Sequence, residues 1–234
     1  MKRTVSIILL LLICNSASAQ LFSKEKIKNQ ENFDKQVLTW GYFLGFNSYD
    51  FKFEYKPNYA TEDDISVDTS IGFNVGLVGD LRINDYFNLR FEPGLYISKR
   101  NLQYNFATTN PNDLFREVNS TYVHFPLLLK VSTKRINNFK PFIVGGFSTA
   151  LNLSSNEGGE DNNVGEFRTK KGMLFYEVGF GIDFYLEWFK FTPSLRGVFA
   201  LNDELVRDND PNSPWTSNIS SMKTRGVFVN FTFQ

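Results

Sequence analysis

Few residues in this 234-residue chain have the type and spacing to do chemistry, with His124 its only histidine and Cys14 its only cysteine. A histidine beside a serine or carboxylate could act as a general base on a lipid ester, provided the partner lies within hydrogen-bond reach. His124 shares its strand phase with Lys130, which predicts an enclosed, hydrogen-bonded side chain instead. Asp208, Asp210 and Asn212 have the alternate spacing of the first ligands of a calcium loop, but Ile219 stands where the closing glutamate belongs. Pro211 and Pro214 fit a stiff loop there, with Trp215 packed on it. No phosphate loop, dinucleotide fingerprint, zinc spacing or nucleophile elbow occurs. The expectation is a protein with no catalytic residues, no metal and no cofactor.

The other charged residues of interest are Asp80, Arg82, Arg90, Glu92, Lys130, Glu177, Asp183, Lys190 and Arg196. All nine fall on the polar phase of alternating segments. Five are basic and four acidic, so they could line a conduction path or neutralise one another across a narrow interior. Charges out of water must pair or meet a large desolvation penalty. A mutually neutralising plug is the expectation.

Strands of period two must position these groups. Phe73, Val75, Leu77, Leu81 and Ile83 share one face, as do Phe87, Leu89, Phe91, Leu95 and Ile97. The same alternation recurs over 122–131, 176–186, 189–199 and 227–233. The segment 140–151 is blurred by Gly145-Gly146. Trp40 to Phe46 is apolar on even positions and Tyr49 to Tyr55 on odd ones, which predicts a bulge near Asn47-Ser48. Eight strands result. Their connections alternate short (84–86, 132–139, 187–188) and long (56–70, 104–117, 152–171, 202–222).

In the six regular strands the apolar phase carries no charge at all, as a lipid-facing surface requires. A soluble barrel would turn that phase inward, but eight strands enclose room only for their own side chains or one small ligand. So many Phe and Leu residues would overfill it. Trp40, Tyr86 and Trp188 cluster at the short-turn end, where an aromatic girdle would sit. The fold expected is all-β, an eight-stranded antiparallel up-and-down transmembrane barrel. Short turns and both termini would face the periplasm and long loops the exterior. Pro93, Pro126 and Pro193 fall inside strands, where each removes a ladder donor, and local bulges are expected to absorb them.

The N-terminus agrees with export. Lys2 and Arg3 precede an apolar run from Val5 to Ile13, and Ala17-Ser18-Ala19 offers a cleavage site before Gln20. Nine residues are too few for a membrane helix, which needs about 20. Ile13 before Cys14 suits lipoprotein processing poorly. The organisation expected is a signal peptide over 1–19, a periplasmic tail over 20–39 and a barrel over 40–234. The tail is charged and solvated, yet Leu21, Phe22, Ile27 and Phe33 are more apolar than a spacer needs and could dock on a partner protein. With 25 basic and 25 acidic residues the chain has no electrostatic footprint for nucleic acid. Outer-membrane lipids are the expected partners, and no small-molecule substrate is.

Several stretches resemble the PorT/SprT family of the Bacteroidota. They are Asn32-Phe33-Asp34 leading into Trp40-Gly41-Tyr42-Phe43-Leu44-Gly45, the hairpin Gly72 to Leu95, and His124-Phe125-Pro126-Leu127-Leu128-Leu129-Lys130. Gly181-Ile182-Asp183 and the closing Asn230-Phe231-Thr232-Phe233-Gln234 extend the resemblance over essentially the whole mature chain. It implies a non-enzymatic component of the type IX protein secretion system, with partners in that machinery, serving export of cargo with C-terminal sorting domains and gliding motility. It implies no cofactor. Other readings are a stand-alone barrel for adhesion or membrane integrity, and a lipid-modifying outer-membrane enzyme.

Overall fold

A computed structural model describes residues 28–57, 65–105, 110, 114–159, 167–210 and 213–234. Leu21, Phe22, Ile27, Cys14 and the expected signal peptide lie outside the described residues. The alternating segments form strands β1 (Leu38–Tyr55), β2 (Ser66–Thr69), β3 (Ile71–Arg82), β4 (Phe87–Phe91), β5 (Gly94–Gln103), β6 (Phe115–Ser132), β7 (Phe139–Asn152), β8 (Gly172–Tyr185), β9 (Lys190–Ala200) and β10 (Ile219–Phe233). β2 continues into β3 through Ser70, and β4 into β5 through Glu92-Pro93. The ring therefore has eight walls. Each pairs antiparallel with its neighbour in chain order, and β1 meets β10 to close it.

The prolines need no bulge. Asp80 pairs with Arg90 below Pro93 and Gly76 with Gly94 above it, so the register is unchanged across the proline. The Leu77 amide donates to the Pro93 carbonyl at 2.9 Å, and the Glu92 amide to the Pro126 carbonyl at 3.2 Å. Pro193 likewise stays in line opposite Phe231. Each proline forfeits one donor while its own carbonyl remains available to the ladder.

The expected bulge at Asn47-Ser48 is absent as well. β1 keeps one register with β10 from Tyr42–Phe233 to Glu54–Ser221. Odd positions point inward along the whole strand, from Phe43 through Tyr49 to Phe51, all buried. What changes is the surroundings. Near the short turns the outward residues are Trp40, Tyr42, Leu44 and Phe46; beyond Phe46 they are Ser48, Asp50, Lys52 and Glu54. Spanning a bilayer takes about 9–11 residues of a tilted strand, and β1 and β6 have 18 each. Their far halves run past the apolar belt and carry outward ion pairs, Asp50–Arg225 at 2.6 Å and Lys99–Glu117 at 2.7 Å.

Several expected loop residues are therefore strand. Residues 66–69, 115–117 and 219–222 extend the walls at the long-loop end. At the other end β1 begins at Leu38. The Trp40 indole lies outside against Gly79, where any Cβ would come within 2.9 Å of the ring. Inside, Phe43 fills the space left by Gly76 and Gly94.

Candidate functional site

The interior is filled in tiers. Nearest the short turns is a relay of charges. Lys130 contacts Asp183 at 2.5 Å and Asp80 at 4.0 Å, and Arg90 contacts Asp80 at 3.5 Å and Glu92 at 3.0 Å. Arg196 then joins Glu92 at 2.6 Å to Glu177 at 3.1 Å. Strands from opposite sides of the ring are thus cross-linked through ions of alternating sign. Asn88 donates to Asp80 and Thr192 to Asp183, which satisfies remaining carboxylate oxygens. Alternation is what allows these charges to leave water, because each ion between the terminal Asp183 and Glu177 faces counter-charge on two sides.

Lys190 is buried at the lower end of this tier, its ammonium 4.6 Å above the Phe33 ring. The ninth expected member, Arg82, stands apart. It is the last residue of β3, its side chain is one-third exposed, and its guanidinium turns to Asp85 in the adjoining turn. At the rim water is available, so nothing draws this charge inward.

The next tier is aromatic. Phe43, Tyr49, Tyr96, Tyr122, Phe175 and Phe228 are buried together. Their inward placement adds an aromatic layer to the plug of charges expected inside. His124 sits at the centre, fully enclosed, with the Tyr49 hydroxyl 2.9 Å from Nε2 and the Tyr96 ring centred 4.6 Å away. A hydrolytic histidine must meet its substrate; this one is walled off by rings.

Above lies a group that the sequence reading missed. Arg100, fully buried, donates to Thr224 at 3.0 Å, Ser120 at 2.6 Å and Tyr122 at 3.0 Å, and stacks 3.8 Å over Phe51. Glu204, also fully buried, accepts from Tyr122 at 2.5 Å and from Thr224. The two opposite charges therefore share hydroxyl bridges. Arg100 lies past the alternation ending at Ile97, and Glu204 sits in a connection; only the even-position parity of Arg90 and Glu92 pointed at Arg100.

The long-loop end is closed by an apolar cap of Phe51, Ile65, Leu102, Val118, Ile219 and Met222, with Trp215 packed on it. Arg116 lies 5.1 Å over the Trp215 ring. Asp208 is engaged by Ser213 at 2.5 Å, Thr216 at 2.9 Å and Arg168 at 3.3 Å. These bonds engage both oxygens of Asp208. Among the described residues no cluster of metal-ligating side chains occurs.

A closed antiparallel ring with a charged, packed interior and a greasy exterior is the form of a small membrane barrel. The model of the outer membrane protein beta-barrel domain matches residues 19–206. The chain belongs to that family. The match stops before β10, the strand that closes the ring. No protein of curated function matches the sequence. Among solved structures, Neisserial surface protein A is 10% identical, covers 84% of this chain and 98% of its own, with a TM-score of 0.39. OprG from Pseudomonas aeruginosa is 14% identical, with 83% and 94% covered and a TM-score of 0.46. Ail of Yersinia pestis, crystallised with the heparin analogue sucrose octasulfate, is 9% identical, with 83% and 96% covered and a TM-score of 0.37. The assignment rests on the family match and the strand topology.

This outer membrane β-barrel protein therefore turns its apolar phase to lipid. Ile143, Phe147, Val178 and Phe180 are each more than half exposed on that wall. At its short-turn end Trp40 and Trp188 are 68% and 86% exposed.

The same end carries the described part of the expected tail. Asn29 to Lys35 cross the barrel mouth as a strap ending in a 3-10 turn over Phe33–Lys35. Phe33, considered above for partner docking, is half-buried against this chain's own Tyr185, ring centroids 6.1 Å apart. Apolar surface beside an open mouth is covered soonest by the segment already tethered there, since little further entropy is lost.

Proposed function

We propose that this chain is a non-enzymatic accessory of the type IX protein secretion system, acting by contact and not by conduction. The observation that carries the accessory role is the filled interior. Strap, ion relay, aromatic tier and cap lie in series, so no polypeptide could thread the barrel. The secretion system itself is supported by the sequence resemblance to the PorT/SprT family, and gliding motility enters on the same ground. Short turns and both termini would face the periplasm and the long loops the exterior, as in outer-membrane barrels generally. Its partners would then be other proteins of that machinery, reached through the periplasmic end, the outer loops or the lipid-facing wall.

Deletion of the gene is the test. Type IX cargo should accumulate in the periplasm while other outer-membrane proteins assemble normally. Normal export would reject the secretion role and favour a stand-alone barrel for adhesion or membrane integrity, which the same fold suits. A lipid-modifying enzyme is disfavoured by His124, which no lipid can reach behind Tyr49, Tyr96 and Phe228.

A further inference from the structure

Arg135 lies in the connection between β6 and β7 and holds the strap together with Tyr185 and Asn138, which accept from the Asn29 side-chain and backbone N–H groups at 3.0 Å each. Its guanidinium contacts Asp34 Oδ2 at 3.2 Å, the Gln30 carbonyl at 3.4 Å and the Asn29 carbonyl. It is itself fixed by the Asn137 carbonyl at 2.8 Å and Asn138 Oδ1 at 3.0 Å, and is stacked 3.7 Å over Tyr185. The Tyr185 hydroxyl donates to the other oxygen of Asp34 at 2.6 Å. One carboxylate is therefore gripped at both oxygens, one by a preorganised cation and the other by a phenol, and hydrogen bonds to an ionised group are the stronger kind.

Behind Asp34 is a cavity of about 20 Å³ lined by Lys130, Lys140, Lys190, Asp80 and Asp183, room for about one water. Lys130 is occupied by the two aspartates. Lys140 and Lys190 are 9% and 4% exposed, and no carboxylate among the described residues comes within ion-pair distance of either ammonium. With Arg135, three cations thus converge on this mouth; Asp34 pairs with Arg135, while Asp80 and Asp183 face Lys140 and Lys190 only from beyond ion-pair distance. Buried cations left in excess are costly, and a second carboxylate would relieve them.

The strap itself is held under strain. Gln30 takes a φ of 49°, a left-handed conformation uncommon outside glycine, asparagine and aspartate. Such geometry persists only where surrounding contacts enforce it, and here they are Arg135 on the Asn29 and Gln30 carbonyls, Asn138 and the Tyr185 carbonyl on Asn29, and the Phe33 amide on the Gln30 carbonyl.

We infer that Asp34 is an internal stand-in for an external ligand. Arg135, Tyr185, Lys140 and Lys190 form a carboxylate seat, the strap is its displaceable cover, and the occupant is an acidic peptide segment of another protein. A strap closed most of the time reduces the apparent affinity by the fraction of open protein. Loosening it must therefore tighten binding. The inference rests on the geometry of the mouth and stands whether or not the secretion reading does.

The test uses the full chain in nanodiscs, with a synthetic glutamate-rich peptide as probe and its glutamine counterpart as control. Asp34→Asn should bind the glutamate peptide about tenfold more tightly than the parent, by removing the competing carboxylate. Lys140→Gln should bind about tenfold more weakly, with heat-modifiable migration showing that both variants are folded. Hydrogen exchange over 29–36 should speed up on addition of peptide, because the strap is displaced. Equal affinities in parent, Asp34→Asn and Lys140→Gln would overturn the seat. So would binding that leaves exchange of the strap unchanged, or equal binding of the glutamine peptide. Loss of type IX export in a deletion strain bears on the other reading alone.

Discussion

Phe46 and Phe51 lie five residues apart on one unbroken strand and face opposite sides of the wall, Phe46 53% exposed and Phe51 3%. Opposite facing is what odd spacing dictates on a pleated strand. Both positions are apolar because the strand changes solvent between them. Around Phe46 the outside is hydrocarbon and the inside holds buried Asn47, Asn74 and Asn230 beside the aromatic tier. Around Phe51 the outside is water, marked by the Asp50–Arg225 pair, and the inside is an ordinary packed core. One barrel is inside-out along part of its length and conventional along the rest.

This change of solvent makes the two phenylalanines unequal. Phe51→Ala should cost about 3–5 kcal/mol, the range for emptying an aromatic site in a packed core. Phe46→Ala leaves no cavity and should cost far less. Urea unfolding in detergent micelles measures both, and limited proteolysis should nick the connection near Leu205 in Phe51→Ala alone. Equal losses in the two variants would contradict the change of solvent.

The upper edge of the bilayer follows from the same reasoning. Phe180→Arg places a charge on the lipid-facing wall and should cost about 2–4 kcal/mol if it lies near the midplane. Asn119→Arg, outward on the projecting part of β6 beside Glu117, should assemble normally. Yields of heat-modifiable protein in the outer-membrane fraction compare them. A failure of Asn119→Arg to assemble would place the bilayer edge higher on the wall.

The ion relay gives a third expectation. Arg196→Met leaves Glu177 without a cation and Glu92 with Arg90 alone, and breaking such a buried set should cost about 3–5 kcal/mol. Adding Glu177→Gln to Arg196→Met should recover much of that loss, because a neutral amide is cheaper to enclose than an unpaired carboxylate. Unfolding midpoints of the single and double variants read the difference. A double variant less stable than Arg196→Met would show that the charges matter for something besides mutual neutralisation.

Within the apolar belt the walls were legible from period two, because there one face must be greasy and the other must not. The same rule brought Asp80, Arg90, Glu92, Lys130, Glu177, Asp183, Lys190 and Arg196 to one interior. It misled where the solvent changes. At Tyr49 the outward phase becomes polar without any change in the backbone, and parity alone reads that as a bulge. Arg100 and Glu204 lie beyond the belt, where hydrophobic alternation no longer reports facing. Arg82 obeyed the parity but stands at the last residue of its strand, where facing inward no longer means being enclosed. The strap was illegible for another reason. Its partners Arg135 and Tyr185 lie about 100 to 150 residues away, and nothing local in Asn29 to Lys35 announces them.

The last expectation separates a cover from a plug. Were the strap the stopper of a channel, displacing it would let solute through. The tiers behind it argue otherwise: Arg90 and Arg196 with their carboxylates block the lumen, and Tyr96, His124 and Phe228 pack in contact above them, ring centroids 4.6 to 6.0 Å apart. A solute would have to part both layers and the apolar cap. Liposomes containing the parent protein should therefore be no more permeable to a small sugar than protein-free liposomes. Asp34→Asn and Phe33→Ser, which loosen the strap, should leave that unchanged. Opening the barrel should require Phe43→Ala and Phe228→Ala in the aromatic tier together with Arg196→Ala below it and Phe51→Ala and Leu102→Ala in the cap. Sugar uptake in the strap variants alone would mean that the interior tiers part readily, and the barrel would then be a gated channel and not a filled scaffold.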